Sequence, residues 1–168
     1  VIASPVDVLD RRLQLLAEGD PAVPSQVRHA VASAPPGGPT RDALRLDYRF
    51  SPGWKYAALL DTQAAPLEGR PEAYTLWVYG DESRNDLRMR FVDASGQTFQ
   101  CDLATIDFKG WKQLRCSLKG DRAGFWGGAA DGVVHLPIRI TVPALIDGVS
   151  RRGTAGTLYL AEGHVIGR

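Results

Sequence analysis

From Tyr74 to Leu103 apolar and polar side chains alternate with a period of two, and two clusters of turn residues break the alternation. Leu76 and Val78 alternate with Trp77 and Tyr79. Leu87, Met89 and Phe91 alternate with Arg88, Arg90 and Val92, and Phe99, Cys101 and Leu103 alternate with Thr98, Gln100 and Asp102. A strand sends successive side chains to opposite faces, so this pattern predicts three strands with one face on a core. The intervening Gly80–Asn85 and Asp93–Gly96 are rich in residues that tolerate chain reversal. Read as a contiguous triplet, the stretch puts Trp77, Tyr79, Arg88, Arg90, Thr98 and Gln100 side by side on the face turned away from the core. Aromatic rings offer apolar faces to a sugar ring, and arginine and glutamine offer directed bonds to hydroxyls, so that face suits a glycan. The competing reading makes Trp77 and Tyr79 a small second core under a loop or the N-terminal segment.

The rest of the chain carries the same signals. ALRLDYRF at 43–50 alternates cleanly, VRHAVASA at 27–34 and KYAALLD at 55–61 are strand candidates, and GWKQLRCSLKG at 110–120 opens on a tryptophan expected in the core. Pro137 and Pro143 interrupt VVHLPIRITVPALIDG and predict an edge or a bulge. GTLYLAEGHVIG forms a last strand. GDRAGFWGGAADG, residues 120–132, is the most glycine-rich loop and presents Phe125 and Trp126 where polar residues are usual. About nine short strands at close intervals predict an all-β antiparallel sandwich, with jelly-roll topology as the expected version. Residues 1–24 read as a lead-in packed on a sandwich of residues 25–168. Val8, Leu9, Leu13 and Leu16 allow either one short helix or an extended segment there.

A chain of 168 residues suits one well-buried domain. With 20 basic against 19 acidic residues and no basic run, nothing in the charge points to a nucleic-acid partner. No apolar segment is long enough for a membrane helix. The chain begins without methionine, which reads as a processed protein or a fragment of a longer one. Cys101 and Cys116 both fall on the apolar parity of their strands. We read them as free thiols rather than a bridge, because spacing alone does not bring their Cα atoms within reach.

Catalytic chemistry finds little footing. His29, His135 and His164 stand singly, and the sequence has no G-x-S-x-G, H-E-x-x-H, C-x-x-C or phosphate-cradling motif. The acidic run Asp81–Asp86 reads as a solvated turn, since it lacks the glycine and distal glutamate of a calcium loop. A non-enzyme is expected, with glycoside cleavage the least favoured alternative.

In order, ALRLDYRFSPGW, LWVYGD, LRMRFVDASGQTFQ, FKGWKQLRCSL, FWGGAADGVVHLPIRI and GTLYLAE resemble the galactose-binding-like β-sandwich of carbohydrate-binding modules found beside bacterial glycoside hydrolases. The resemblance covers about residues 14–165. It implies a non-catalytic module that targets an attached polysaccharide-active domain to a polysaccharide or oligosaccharide, a β-glucan among the candidates, in a secreted, extracellular or cell-surface bacterial protein. It points to Trp77, Tyr79, Arg88, Arg90 and Gln100 for a site on a sheet face, and to Trp54, Phe125 and Trp126 for a site in end loops. It also implies one structural calcium ion near Glu18 and Glu162, helped by Asp20 or Asp42, although the family more often carries aspartates where this chain has Ala161-Glu162. The alternative function is a structural or protein-interaction module docked on a neighbouring domain through Trp77 and Tyr79.

Overall fold

The computed structural model describes residues 1–19, 25–148 and 152–168, and within them the chain forms strands and no helix. In chain order these are β1 (Ile2–Val6), β2 (Gln14–Gly19), β3 (Ser25–Ser33), β4 (Asp42–Phe50), β5 (Lys55–Leu60), β6 (Pro71–Asp81), β7 (Asp86–Val92), β8 (Thr98–Thr105), β9 (Lys109–Ser117), β10 (Gly124–Trp126), β11 (Arg139–Gly148) and β12 (Thr154–Gly167). The first sheet runs β3-β4-β12-β6-β9, with β1 also paired to β12, and the second runs β10-β8-β7-β11-β5-β2. The pairings are antiparallel. The fold is thus the antiparallel β-sandwich that the alternation predicts.

Parity explains the core. Leu44, Leu46, Tyr48 and Phe50 of β4 and Leu76 and Val78 of β6 face Leu87, Met89, Phe91, Phe99, Cys101 and Ile146 of the second sheet in one buried cluster. Phe91 and Phe99 stack with ring centres 5.0 Å apart. Buried phenols need partners: the Tyr74 hydroxyl donates to the Pro143 carbonyl at 2.9 Å. Burial drives the Tyr74 and Tyr48 hydroxyls far above the ordinary tyrosine range. Pro143 sits where the register of β11 on β7 shifts between Val142 and Leu145, so the expected interruption is a bulge, and it lies in a strand with neighbours on both sides.

The main departure from the sequence reading is the partition of the central triplet. β6 belongs to the first sheet, whereas β7 and β8 belong to the second. The chain crosses between sheets at 82–85 and returns at 106–108, and the two crossings are zipped together. Glu82 N–H donates to Phe108 O at 3.1 Å, Arg84 N–H to Ile106 O at 2.9 Å, and Ile106 N–H to Asn85 O at 2.9 Å. Asn85 is wholly buried and donates Nδ2 to Thr154 Oγ1 at 2.9 Å and to the Tyr48 hydroxyl at 3.2 Å. The Tyr48 hydroxyl in turn donates to Asp81 at 2.6 Å. The run expected as a solvated turn is therefore a built corner. Glu82 and Arg84 hold positive φ angles of 57° and 64° there.

The cysteines also depart from expectation. Cys101 on β8 and Cys116 on β9 form a disulfide between the two sheets, with Cα atoms 6.3 Å apart. Because the chain crosses sheets between β8 and β9, the inward faces of these two strands meet, which residue spacing could not reveal. At the N-terminus β1 joins β12 and β2 joins β5, so the segment read as a lead-in adds a strand to each sheet, and the helical option for it does not occur in the described residues. Val8 and Leu13, in the turns between β1 and β2, are buried.

Candidate functional site

The two outward faces of the sandwich differ in kind. On the first sheet the register aligns Arg45, Tyr159, Tyr79 and Trp111 in one cross-strand row. Tyr79 meets Trp111 and Tyr159 edge-on, with ring centres 5.6 and 5.9 Å apart. Trp77 lies in the next row, between Ala161 and Gln113. The β3–β4 loop folds over this row: the Trp111 indole N–H donates to Pro35 O at 2.9 Å, and a Cβ at Gly38 would overlap the indole ring. Trp111 thus packs on an outer face and not in the core. Trp77 and Tyr79 are half-buried, and Tyr79 packs against Tyr159 and against Trp111, which is tied to the loop.

On the second sheet the exposed rings form an open row. The outward parity of β5 is Tyr56, Ala58 and Leu60, and that of β7 and β8 includes Asp86, Arg88, Arg90, Gln100 and Asp102. The Arg90 guanidinium carbon lies 5.4 Å from the centre of the Tyr56 ring and 5.1 Å from that of Trp126. Trp54 continues the row, its ring centre 5.6 Å from Tyr56. Trp54 is 59% exposed and Trp126 45%.

Neighbouring groups fix each member. Arg90 Nε donates to Gln100 Oε1 at 2.8 Å, which sets the plane of the guanidinium. The Tyr56 hydroxyl donates to Glu18 of β2, and burial followed by that carboxylate raises its pKa. The turn before Trp54 is tied from beneath, where the buried Lys55 ammonium donates to Ser51 O at 2.7 Å and Pro52 O at 3.2 Å. Trp126 belongs to the short strand β10, whose register sets it opposite Thr98.

Beside this row Arg88 gathers carboxylates. Its Nε donates to Asp102 at 2.9 Å and its Nη1 to Asp147 at 2.8 Å, while Nη2 lies 3.5 Å from Asp86. Burial pushes the Asp147 carboxyl up, and Arg88 offsets only part of that rise. Three guanidinium groups on the strands, Arg88, Arg90 and Arg139, share this face with four carboxylates, Glu18, Asp86, Asp102 and Asp147, a formal balance of one negative charge. A hollow of about 610 Å³ on the first sheet, lined by Arg28, Asp47, Arg49 and Thr157, offers no comparable row of rings.

The expected site residues therefore separate. Arg88, Arg90, Gln100, Trp54 and Trp126 come together on the second sheet, and Trp77 and Tyr79 lie on the opposite side of the sandwich. Phe125 alternates away from Trp126, and its ring lies 6.3 Å from Phe99, at the edge of the core. Tyr56, absent from the expected set, sits at the middle of the row. The strand KYAALL is apolar on both parities and carries Lys55 on the parity that faces the core, so no alternation in the sequence marks Tyr56 as outward.

The carboxylates expected to hold calcium do not come together. Glu18 lies on the edge of the second sheet and is bonded to Tyr56, whereas Glu162 is on β12 of the first sheet, 3.8 Å from His164. Calcium needs about six to eight oxygens, and the described residues hold no group of three or more candidate metal ligands. Asp20 lies outside the described residues, and Asp42 starts β4.

No protein-family model matches the chain, and no curated protein matches it. Solved structures do. A family 11 carbohydrate-binding module from Clostridium thermocellum, in complex with a β-1,3-1,4-mixed-linked tetrasaccharide, superposes with a TM-score of 0.67 at 12% identity, covering 98% of this chain and 95% of that one. The family 11 module of the cellulosomal cellulase Lic26A-Cel5E of Clostridium thermocellum also superposes at 0.67 and 12% identity, covering 100% and 96%. A solution structure of CtCBM11 gives 0.65 at 13% identity, covering 99% and 95%. At such identities the likeness shows the fold alone, a β-sandwich that this chain shares with those modules over nearly its full length.

Proposed function

We propose that this chain is a non-catalytic carbohydrate-binding module that holds a neutral glycan, of β-glucan type, against the outward face of its second sheet. One observation carries the reading: Arg90 lies against both Tyr56 and Trp126 while Trp54 extends the same row, all on one face. Indole and phenol rings take the apolar faces of successive sugar units, and the outer N–H groups of Arg90 donate to hydroxyls between them. The row crosses the strands from β5 to β10, so the glycan lies across the sheet. The negative balance of the face favours an uncharged polymer over one bearing carboxylates.

The fold likeness supports this reading, since one of the similar modules was solved with a mixed-linked β-glucan tetrasaccharide bound. Binding needs no covalent step, and Asp102 and Asp147, carboxylates of this face, are both engaged by Arg88. A disulfide between the sheets suits export to an oxidising compartment. In that setting the module acts beside a polysaccharide-active domain, where tethering raises the effective concentration at the polymer.

Affinity electrophoresis against mixed-linkage β-glucan, mannan, xylan and polygalacturonate tests the reading. Retardation by β-glucan and none by polygalacturonate is expected. No retardation on any neutral polymer counts against it.

A further inference from the structure

The strand that carries Trp126 is too short to hold it. β10 has three residues and one neighbour, β8, at the edge of the second sheet. After it the chain passes through Gly127, Gly128, Ala130 and Gly132, all with positive φ between 50° and 74°. Such a sequence gains little order from local preference, since glycine has the most conformational freedom to lose. Something else must define the loop.

That role falls to a polar hub at the β7–β8 hairpin. Gln97 has 0% exposure and Asp93 5%, both unusual for such residues. The two hydrogens of Gln97 Nε2 are shared among Asp93 at 3.1 Å, Asp131 at 3.2 Å and Val133 O at 3.1 Å, and Gly132 N–H donates to Gln97 Oε1 at 2.9 Å. Asp93 accepts from Ser95 N–H, Gln97 N–H and His135 N–H. Ala129 N–H reaches Ser95 Oγ at 3.1 Å. Gly128 lies so close to the hairpin that an added Cβ would overlap the Gln97 backbone nitrogen. The far side of the loop, residues 129–135, is thus fastened to residues 93–97.

We propose that Asp93 and Gln97 are positioning residues for glycan capture, a buried clamp that fixes the glycine-rich loop and so holds Trp126 against Arg90, setting how far along the glycan the face reaches. The proposal rests on the functional reading above and extends it to residues that touch no sugar. Satisfied buried networks of this kind specify one arrangement, and losing one member leaves the others without partners.

The test uses the whole chain with Gln97→Ala, with Gly128→Ala, which drives a Cβ into the hairpin backbone, as a second disruptive variant and Ser95→Ala as the milder one should these fail to fold. The Trp126 indole N–H resonance, assigned by its loss in Trp126→Phe, is followed without ligand, and affinity is measured for a short and a long β-glucan oligosaccharide. The clamp predicts a shifted or broadened Trp126 resonance with the Trp54 resonance unmoved. It also predicts roughly tenfold weaker binding of the long ligand and less than about twofold change for the short one. An unmoved Trp126 resonance in every folded variant overturns the proposal, whether or not glycan binds. A moved resonance with unchanged affinity for a long ligand that the parent chain binds also overturns it. If the parent chain binds no glycan, the functional reading fails by itself, and the resonance still decides whether the clamp exists.

Discussion

The guanidinium carbon of Arg90 lies 5.1 Å from the centre of the Trp126 ring, although β8 separates the strands that carry them. The contact bridges two edges of a platform that no single stretch of sequence contains. Arg90 is also 5.4 Å from Tyr56, and its Nε is held by Gln100. Arg90→Ala should therefore weaken glycan binding by about 1–2 kcal/mol, roughly tenfold. Arg90→Lys should recover little of the loss, because a lysine lacks the planar fork that stacks and donates at once. Calorimetric titration with an oligosaccharide checks both variants, and full recovery by lysine would show that charge alone matters.

The first sheet supplies the control. Tyr79→Ala and Trp77→Ala should leave glycan affinity within about twofold of the parent, since both lie on the opposite side of the sandwich. Trp111→Ala should instead lower stability by about 1–3 kcal/mol, through the lost packing under the β3–β4 loop and the lost bond to Pro35 O. Denaturant unfolding and affinity measured on the same samples separate the two effects.

The strands were legible because their inward parity was. Leu87, Met89 and Phe91 read as inward and are inward, and the same holds for Leu44, Leu46, Tyr48 and Phe50. Which sheet each strand joins was not legible. Alternation is the same whether the next strand pairs alongside or crosses over, and the corner at Asn85 depends on Tyr48 and Thr154, which come from distant strands. The expected face was divided for this reason: Arg88, Arg90 and Gln100 share the second sheet, Trp77 and Tyr79 lie on the first, and Tyr56, which joins Arg90, was not among the residues expected there. Trp126 was found as an oddity of composition, but the hub that places it joins residues 93–97 to 129–135 and leaves no local pattern.

Cys101 and Cys116 close a loop of sequence separation 15. A loop of that size corresponds to about 3 kcal/mol in the chain-entropy account. The Cys101→Ala/Cys116→Ala double variant should melt roughly 6–12 °C lower with the glycan face intact. A melting temperature unchanged by the double substitution would contradict a structural role for the bridge.

Asp93 gives the stability a signed dependence on pH. Burial alone would raise its carboxyl pKa, but bonds from Ser95, His135 N–H and Gln97 outweigh burial and hold it below the ordinary carboxylate range. A pKa depressed by folding stabilises the protein above the unfolded value, about 3.9, and that contribution is lost as pH falls through the lower folded value. Stability should fall as the pH drops below about 4, and part of the fall should vanish in Asp93→Asn. Thermal melts across the acid range, parent against variant, check the sign; an Asp93→Asn variant as acid-sensitive as the parent would contradict it.

The central claim is that the second sheet's outward face, and not the first sheet's, holds the glycan. Chemical-shift mapping with a mixed-linkage β-glucan oligosaccharide tests it most directly. The account predicts perturbed indole resonances of Trp54 and Trp126 and a perturbed Arg90 side chain, with Trp77 and Trp111 unmoved. Perturbation of Trp77 and Trp111 with Trp54 and Trp126 unmoved would contradict it.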